Sequence, residues 1–315
     1  MTIDLLTFGE ALVEVMRTGI NQPLDAPGPF KGPYPSGAPF IFAVQAARLG
    51  ARVAAIGAVG NDGFGRCLID QLREDNIDIS GITTLDSHST GVAFVAYHED
   101  GTRDFIFHIA YTAAGQIQPE MLDPSLFNGL KCLHLMGSTL SIHDDALQTG
   151  LHAVELARNA GAQISFDPNL RPQLLPNEWA CEVFKPFLDA ADIIIPTADE
   201  AQILTGQSDL DAAIDVLLDH HPQRMVVVTQ GAQGCTVYSQ TNKTRVPGFV
   251  VDEIDPTGAG DCFDAGFLVQ WLNGHSPIQS ARFANACGAL AVTRQGPMTG
   301  AQSYAAVQAF INANP

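Results

Sequence analysis

Two uninterrupted apolar triplets, Ile193–Ile195 and Val226–Val228, constrain the fold of this chain more than any other feature. A strand with one face in water alternates apolar and polar residues. A run without alternation belongs to a strand covered on both faces, as in a parallel sheet packed between helices. Short apolar runs also occur at Leu5–Phe8, Val53–Gly57, Cys132–Met136, Gln163–Phe166 and Met225–Thr229. Helix-period stretches fall among them at Phe42–Leu49, Gly63–Glu74, Asp144–Asn159, Asp209–Asp219, Gly260–Leu272 and Ile278–Thr293. This order predicts an α/β fold with a doubly wound, mostly parallel sheet and helices on both faces.

Two segments break the alternation. Residues 17–36 gather Gly19, Pro23, Pro27, Gly28, Pro29, Gly32, Pro33 and Pro35, a composition that favours extended chain and turns over helix. Farther on, Val92–Tyr97 and Arg103–His108 flank Asp100-Gly101, a hairpin signal between two β-rich runs. Residues 1–315 therefore read as one domain, with a small β lid formed by about 14–36 and 91–114. His220 and His221, between a helix and a strand, read as solvated loop.

Charge narrows the partners. With 34 acidic against 16 basic residues the formal net charge is −18, and no basic stripe is present to neutralise phosphates, which argues against nucleic acid and against an anionic membrane surface. No apolar run reaches the roughly 18 to 20 residues of a membrane span. The N-terminus lacks a basic region before its first strand, so no signal peptide is expected. Cys67, Cys132, Cys181, Cys235, Cys262 and Cys287 are scattered and form no C-x-x-C pair, the pattern of buried thiols in a reducing, cytoplasmic setting.

The stretch Asp255–Asp261 (Asp-Pro-Thr-Gly-Ala-Gly-Asp) carries the chemistry. Pro256 ends whatever precedes it, and Gly258 and Gly260 let the backbone turn tightly into a helix that begins near Asp261. Free N–H groups at a helix start form an anion site, and the small side chains of Gly258, Ala259 and Gly260 let a phosphate approach the backbone. Asp261 then stands beside that site, placed to take a proton from an attacking hydroxyl. This combination suits phosphoryl transfer. Neither a G-x-x-x-x-G-K-[ST] loop nor a dinucleotide glycine triplet is present, since Phe263 occupies the third-glycine position.

Here the chain resembles the ribokinase-like (PfkB-type) sugar kinases. Asp255–Asp261 matches the C-terminal signature of that family, and Phe263–Gly266 continues it. Ser36–Gly50 and Gly57–Gly65 match the N-terminal signature, Asp167–Arg171 with Pro196–Glu200 a third motif, and Thr229–Gly234 a fourth. The motifs keep family order across nearly the whole chain.

The resemblance implies a carbohydrate kinase with ATP as co-substrate and Mg²⁺. Asp261 would be the base and the N–H groups of Gly258, Ala259 and Gly260 would hold the transferring phosphoryl group. Thr229, Gly231, Gly234 and Asn285 would lie along the nucleotide. Glu200 would organise magnesium through water. Glu14, Gly37, Asn169, Arg171 and His108 would meet the sugar. The family commonly has Asp at the position of Glu14, Asn at those of Ile41 and Thr197, and Gly at that of Ser36. Those departures put the sugar's identity in play and motivate a second possibility, a catalytically silent sugar-binding protein.

The lid run Phe105–Ala114 lacks the Arg that relatives acting on 2-keto-3-deoxygluconate use to meet a carboxylate, while His108 and Tyr111 offer hydrogen bonds. A neutral ketohexose such as fructose or tagatose is therefore the expected substrate. The keto-acid is the alternative, with Arg17 or Arg103 as its cation, and a nucleoside kinase of the same fold is a further possibility. Exposed β appendages in this family pair across a dimer, so a homodimer is expected.

Overall fold

Leu5 and Leu6 are neighbours in one strand, yet they are buried in two different hydrophobic clusters, one on each face of the sheet. That two-sided burial is what the apolar triplets anticipate. The computed structural model describes residues 2–219 and 221–314, so Met1, His220 and Pro315 lie outside the described residues. Its strands are β1 (Leu5–Phe8), β2 (Leu12–Arg17), β3 (Phe30–Ser36), β4 (Val53–Gly60), β5 (Asp78–Leu85), β6 (Gly91–Tyr97) and β7 (Arg103–His108). They continue with β8 (Cys132–Met136), β9 (Gln163–Asp167), β10 (Ile193–Ile194), β11 (Met225–Thr229), β12 (Gly234–Tyr238) and β13 (Lys243–Pro247). The helices are α1 (Ala38–Arg48), α2 (Gly63–Glu74), α3 (Gly137–Leu140), α4 (Asp144–Asn159), α5 (Asn177–Ala190), α6 (Ala198–Thr205), α7 (Leu210–Leu218), α8 (Ala259–Leu272), α9 (Pro277–Ala291) and α10 (Tyr304–Ala313).

The main sheet has the order β13-β12-β11-β10-β9-β8-β1-β4-β5. It is parallel from β11 to β5, and β12 and β13 add an antiparallel edge. One face packs on α1, α8 and α9, the other on α4 to α7. Helix α8 has no solvent-facing polar side over Asp261–Gln270, which are all buried, as in a helix enclosed between a sheet and other helices.

A second sheet, ordered β3-β2-β6-β7, is built from the two segments that interrupt the alternation. Strands β2 and β6 pair in parallel, and each carries an antiparallel neighbour outside. The sheet leans over the ends of the main strands, with Leu12, Ala93, Ile109 and Ala114 forming a small cluster of their own beneath it.

Some elements differ from the sequence reading. Helix α1 begins at Ala38 rather than Phe42, because Pro39 sits in its first turn, where a missing N–H costs nothing. Helix α5 was not expected because Pro186 interrupts its pattern, and the chain stays helical through it. Strand β5 is largely exposed and polar, which hides its period. The hairpin β12–β13 and helices α6 and α10 also lie outside the expected elements.

Candidate active site

A cleft of about 460 Å³ opens between the lid and the C-terminal ends of the main strands, where an α/β sheet gathers its ligands. Its floor is the turn that starts α8. Gly258 caps that helix with φ 83°, a left-handed backbone that favours glycine. A Cβ there would lie 2.6 Å from Pro297 O and 3.0 Å from Ile41 Cγ2. By contrast, a Cβ on Gly260 would meet nothing within 4 Å, so the space over the turn is open. Asp261 follows in the first helical turn, 7% exposed. Burial pushes its carboxyl well above the usual carboxylate range; the charge of Asp167 adds to this and Arg171 opposes it.

The turn is fixed from behind. Asp255 Oδ1 accepts the N–H of Thr257 at 3.0 Å and the hydroxyl of Tyr97 at 3.0 Å, and Oδ2 accepts the N–H of Gly296 at 2.9 Å. Arg103, from the start of β7, donates to Thr257 Oγ1 at 2.9 Å. Two lid strands are thus tied to the residues that lead into the glycine turn.

Strand β9 delivers the next group. Asn169 takes φ 40° and donates its N–H and Nδ2 to Asp167 at 2.9 and 3.0 Å, leaving its own Oδ1 buried without a partner. Burial and the neighbouring Glu200 push the Asp167 carboxyl above its ordinary range. Arg171 lines the cleft with Nη1 on Leu170 O at 3.0 Å. Thr197 caps α6 and forms a capping box with Glu200, whose Oε2 accepts the Thr197 N–H and hydroxyl. Glu200 Oε1 accepts Leu170 N–H at 2.8 Å, so this carboxylate joins α6 to the β9 loop at the edge of the cleft.

At the lid end of the cleft, Glu14 of β2 is 5% exposed; Oε1 accepts the Ser36 hydroxyl at 2.7 Å, while Oε2 is buried and unpartnered. Gly37 and Ile41 line the same end. His108 does not. Side chains alternate across β7, so Phe105 and Phe107 face the cleft while His108 is exposed on the outer face with its ring edge-on to Phe94. The expectation of a sugar contact from His108 is corrected accordingly, and Tyr111, 95% exposed, is no substitute. Arg17 is also elsewhere, folded onto Pro23 O and Ala26 O within the lid.

Of the residues expected along the nucleotide, Thr229 lines the cleft and bridges Thr197 as a short parallel pair. Gly231, Gly234 and Asn285 lie outside its lining. Gly234 has a task in the hairpin, since a Cβ there would lie 2.2 Å from Val246 O. Asn285 Nδ2 donates to Val246 O and Pro247 O at 3.1 Å each, tying α9 to β13.

The sequence reading passed over two acids. Glu10 follows β1 and accepts the hydroxyls of Ser138 and Thr139; its place two residues past a strand end was the available signal. Asp264 lies one turn beyond Asp261 on α8 and lines the cleft, with Oδ2 unpartnered 3.5 Å from the buried His134 Nε2. The spacing of three from Asp261 puts both on one helix face. Six carboxylates (Glu10, Glu14, Asp167, Glu200, Asp261, Asp264) thus face two guanidiniums, Arg103 and Arg171.

An acid poised over an open helix N-terminus, in a two-walled acidic cleft, is the apparatus of a phosphotransferase that acts on a hydroxyl. The chain belongs to the pfkB family of carbohydrate kinases, which it matches over residues 32–303. It shares 40% identity and a TM-score of 0.94 with an Escherichia coli protein provisionally called ribokinase II, each covering 99% of the other; the same protein has a structure in complex with ATP and Mg²⁺. Maize fructokinase-1 is 33% identical over 98% of this chain and 97% of the relative. A Vibrio cholerae fructokinase solved with fructose, ADP and calcium is 28% identical with TM-score 0.84, covering 98% and 99% of the two chains.

Proposed function

We propose that this kinase transfers the γ-phosphoryl group of magnesium-ATP to a hydroxyl of a neutral ketohexose, fructose first among them. The observation that carries the reading is the pairing, across one cleft, of Asp261 at the open start of α8 with the free Oε2 of Glu14. Glu14 and Asn169 each hold a buried acceptor that needs an O–H donor, and a sugar supplies several. Leu12, Ile41, Phe105 and Phe107 receive its C–H faces.

Asp261 takes the proton of the attacking hydroxyl. The new O–P bond forms as the bond to ADP breaks, and the N–H groups at Gly258, Ala259 and Gly260 hold the moving phosphoryl oxygens. Arg171 adds positive charge beside them. Magnesium bound with ATP would supply charge neutralisation on the phosphates. Among the described residues no cluster of three or more acidic, His or Cys ligands is arranged to hold a metal by itself. Both Glu200 oxygens already accept protein donors, so this carboxylate fits a hydrated ion met through water better than a stripped one. Thr229 and Gly231 face the nucleotide; Gly234 and Asn285 shape that side from beneath.

The two guanidiniums favour a second substrate, the keto-acid 2-keto-3-deoxygluconate. The neutral sugar is preferred because six carboxylates outnumber them and Arg103 is engaged by Thr257. The outer lid face, where Phe30 is 39% and Ile106 44% exposed beside Phe94, is the proposed homodimer surface. A cytoplasmic setting belongs to the same proposal, since all six cysteines are free.

The test is ADP release from magnesium-ATP with fructose, tagatose, ribose, 2-keto-3-deoxygluconate and adenosine. Fructose should turn over fastest. Asp261→Asn should lower kcat by about 10³-fold or more while sugar binding, read by calorimetry, stays within a few-fold. Normal turnover by the variant would remove Asp261 as the base. Turnover only with the keto-acid would reassign the substrate, and a monomeric mass by light scattering would remove the dimer.

A further inference from the structure

Glu14 is a buried acid with one oxygen engaged and one free, and the residue that engages it is Ser36. Ser36 is 1% exposed and closes β3. In the β2–β3 register it stands opposite Leu12, while Glu14 stands opposite Tyr34. Ser36 and Glu14 are therefore diagonal neighbours on adjacent strands, and both line the cleft. A serine hydroxyl carries one proton. Ser36 gives it to Glu14 Oε1, so its own oxygen has only lone pairs to offer the cleft. The surrounding wall, Leu12, Ile41, Phe105 and Phe107, has no polar side chain. Two acceptors on an apolar wall are satisfied only by O–H groups that the substrate brings.

We propose that Ser36 is a specificity-determining residue: with Glu14 it forms a two-acceptor clamp that selects neutral sugars presenting two O–H donors at this wall, and rejects sugars that bring a carboxylate or a deoxy carbon there. This rests on the sugar-kinase reading above and supplies the chemistry by which one sugar is chosen. The rejection has leverage, because a site built to bond a hydroxyl discriminates against its absence far more than an apolar pocket discriminates by shape. Neither cleft guanidinium relieves the clamp, since Glu14 Oε2 meets no donor at all.

Ser36 also tunes the charge of its partner. Burial pushes the Glu14 carboxyl up to about 7; the Ser36 hydroxyl pulls it back, Asp255 raises it, and Arg103 and Arg171 lower it. The ionised carboxylate is the pure acceptor, so sugar capture should strengthen as pH rises through 7.

The experiment compares wild type with Ser36→Ala and Ser36→Thr on the fastest neutral sugar, its monodeoxy analogues and 2-keto-3-deoxygluconate. Ser36→Ala should raise the sugar KM about tenfold, as loss of one hydrogen bond does, with kcat moving less than threefold and the ATP KM unmoved. The penalty for one deoxy position should shrink toward unity, and the rise of kcat/KM should move to higher pH. Ser36→Thr, which restores a hydroxyl, should recover most of the loss. An Ala variant with wild-type sugar KM, deoxy profile and pH inflection overturns the clamp. So does one that loses kcat and ATP affinity together, the mark of a general packing role. Should the Ala variant fail to fold, Ser36→Cys, close in size and a weak donor, is read by the same criteria. If wild type phosphorylates no sugar, the underlying reading fails. If it does and the Ser36 variants match it, the clamp alone fails.

Discussion

Asp261 on the cleft floor sits in the first turn of α8, a helix enclosed by the main sheet, α1 and α9. Glu14 on the facing wall sits on a four-stranded sheet that has only a small cluster of its own beneath it. Both are buried acids held above their ordinary range by desolvation. They are held in place differently. The floor is shaped by backbone: a left-handed Gly258, a helix start and a Pro297 carbonyl packed against it. The lid is shaped by side chains bonding across strands, Ser36 to Glu14 and Tyr97 and Arg103 to the Asp255–Thr257 turn. On the proposed reading, the chemistry common to many sugars rests on the backbone-shaped floor and selection among sugars on side chains that single substitutions can change.

The sharpest way to break that contrast after Asp261→Asn is Gly258→Ala. The left-handed conformation costs a non-glycine residue about 1–2 kcal/mol. The new Cβ would also lie 2.6 Å from Pro297 O, so the turn must move. A displacement of that kind should cut kcat about 100-fold and leave the sugar KM within about threefold. If instead KM rises and kcat holds, the floor and the lid do not divide the work in this way.

A smaller substitution probes the seam between them. Tyr97→Phe removes the hydroxyl that reaches Asp255 Oδ1, while Asp255 keeps the N–H groups of Thr257 and Gly296. Loss of a bond to a charged acceptor should cost about 1–2 kcal/mol, expressed as about a tenfold fall in kcat/KM because lid and turn lose register. Unchanged kinetics with a lowered unfolding midpoint would mean that the seam is structural only.

The floor was far more legible in the sequence than the wall. Asp255–Asp261 compresses the proposed anion turn and the proposed base into seven consecutive residues, so local spacing alone suggests the chemistry. The parallel strands announce themselves because burial on both faces erases polar alternation. The lid assembles from residues 12–17, 30–36, 91–97 and 103–108, and which face of each strand meets the cleft depends on register. His108 was misread for that reason: one step along β7 separates the cleft face from the outside. The Ser36–Glu14 bond and the Arg103–Thr257 bond join residues distant in sequence, and no local pattern encodes them. Asn285 and Thr197 show the reverse case, polar residues in matched motifs whose visible partners are backbone groups and a helix cap.

The mildest test concerns stability. Glu14→Gln keeps the size of the side chain and removes its charge. In the folded protein the Glu14 carboxyl lies at about 7, above its ordinary 4.5. Such a raised acid favours folding while protonated in both states, and the benefit is lost as pH rises through 7. At pH 8 the folded wild type carries a buried, half-satisfied carboxylate at a cost on the order of 3 kcal/mol, which glutamine avoids. The introduced amide must still find partners of its own, and that offsets part of the gain. Thermal melts of the sugar-free protein should therefore show Glu14→Gln more stable than wild type at pH 8, with the margin shrinking as pH falls from 7 toward 4.5 and gone below that. The same variant should bind sugar more weakly, because it presents an amide where two acceptors are required. A Glu14→Gln protein less stable than wild type at pH 8 would mean that Glu14 fastens the lid; a more stable one would mean that the wall retains its strained carboxylate for the sugar.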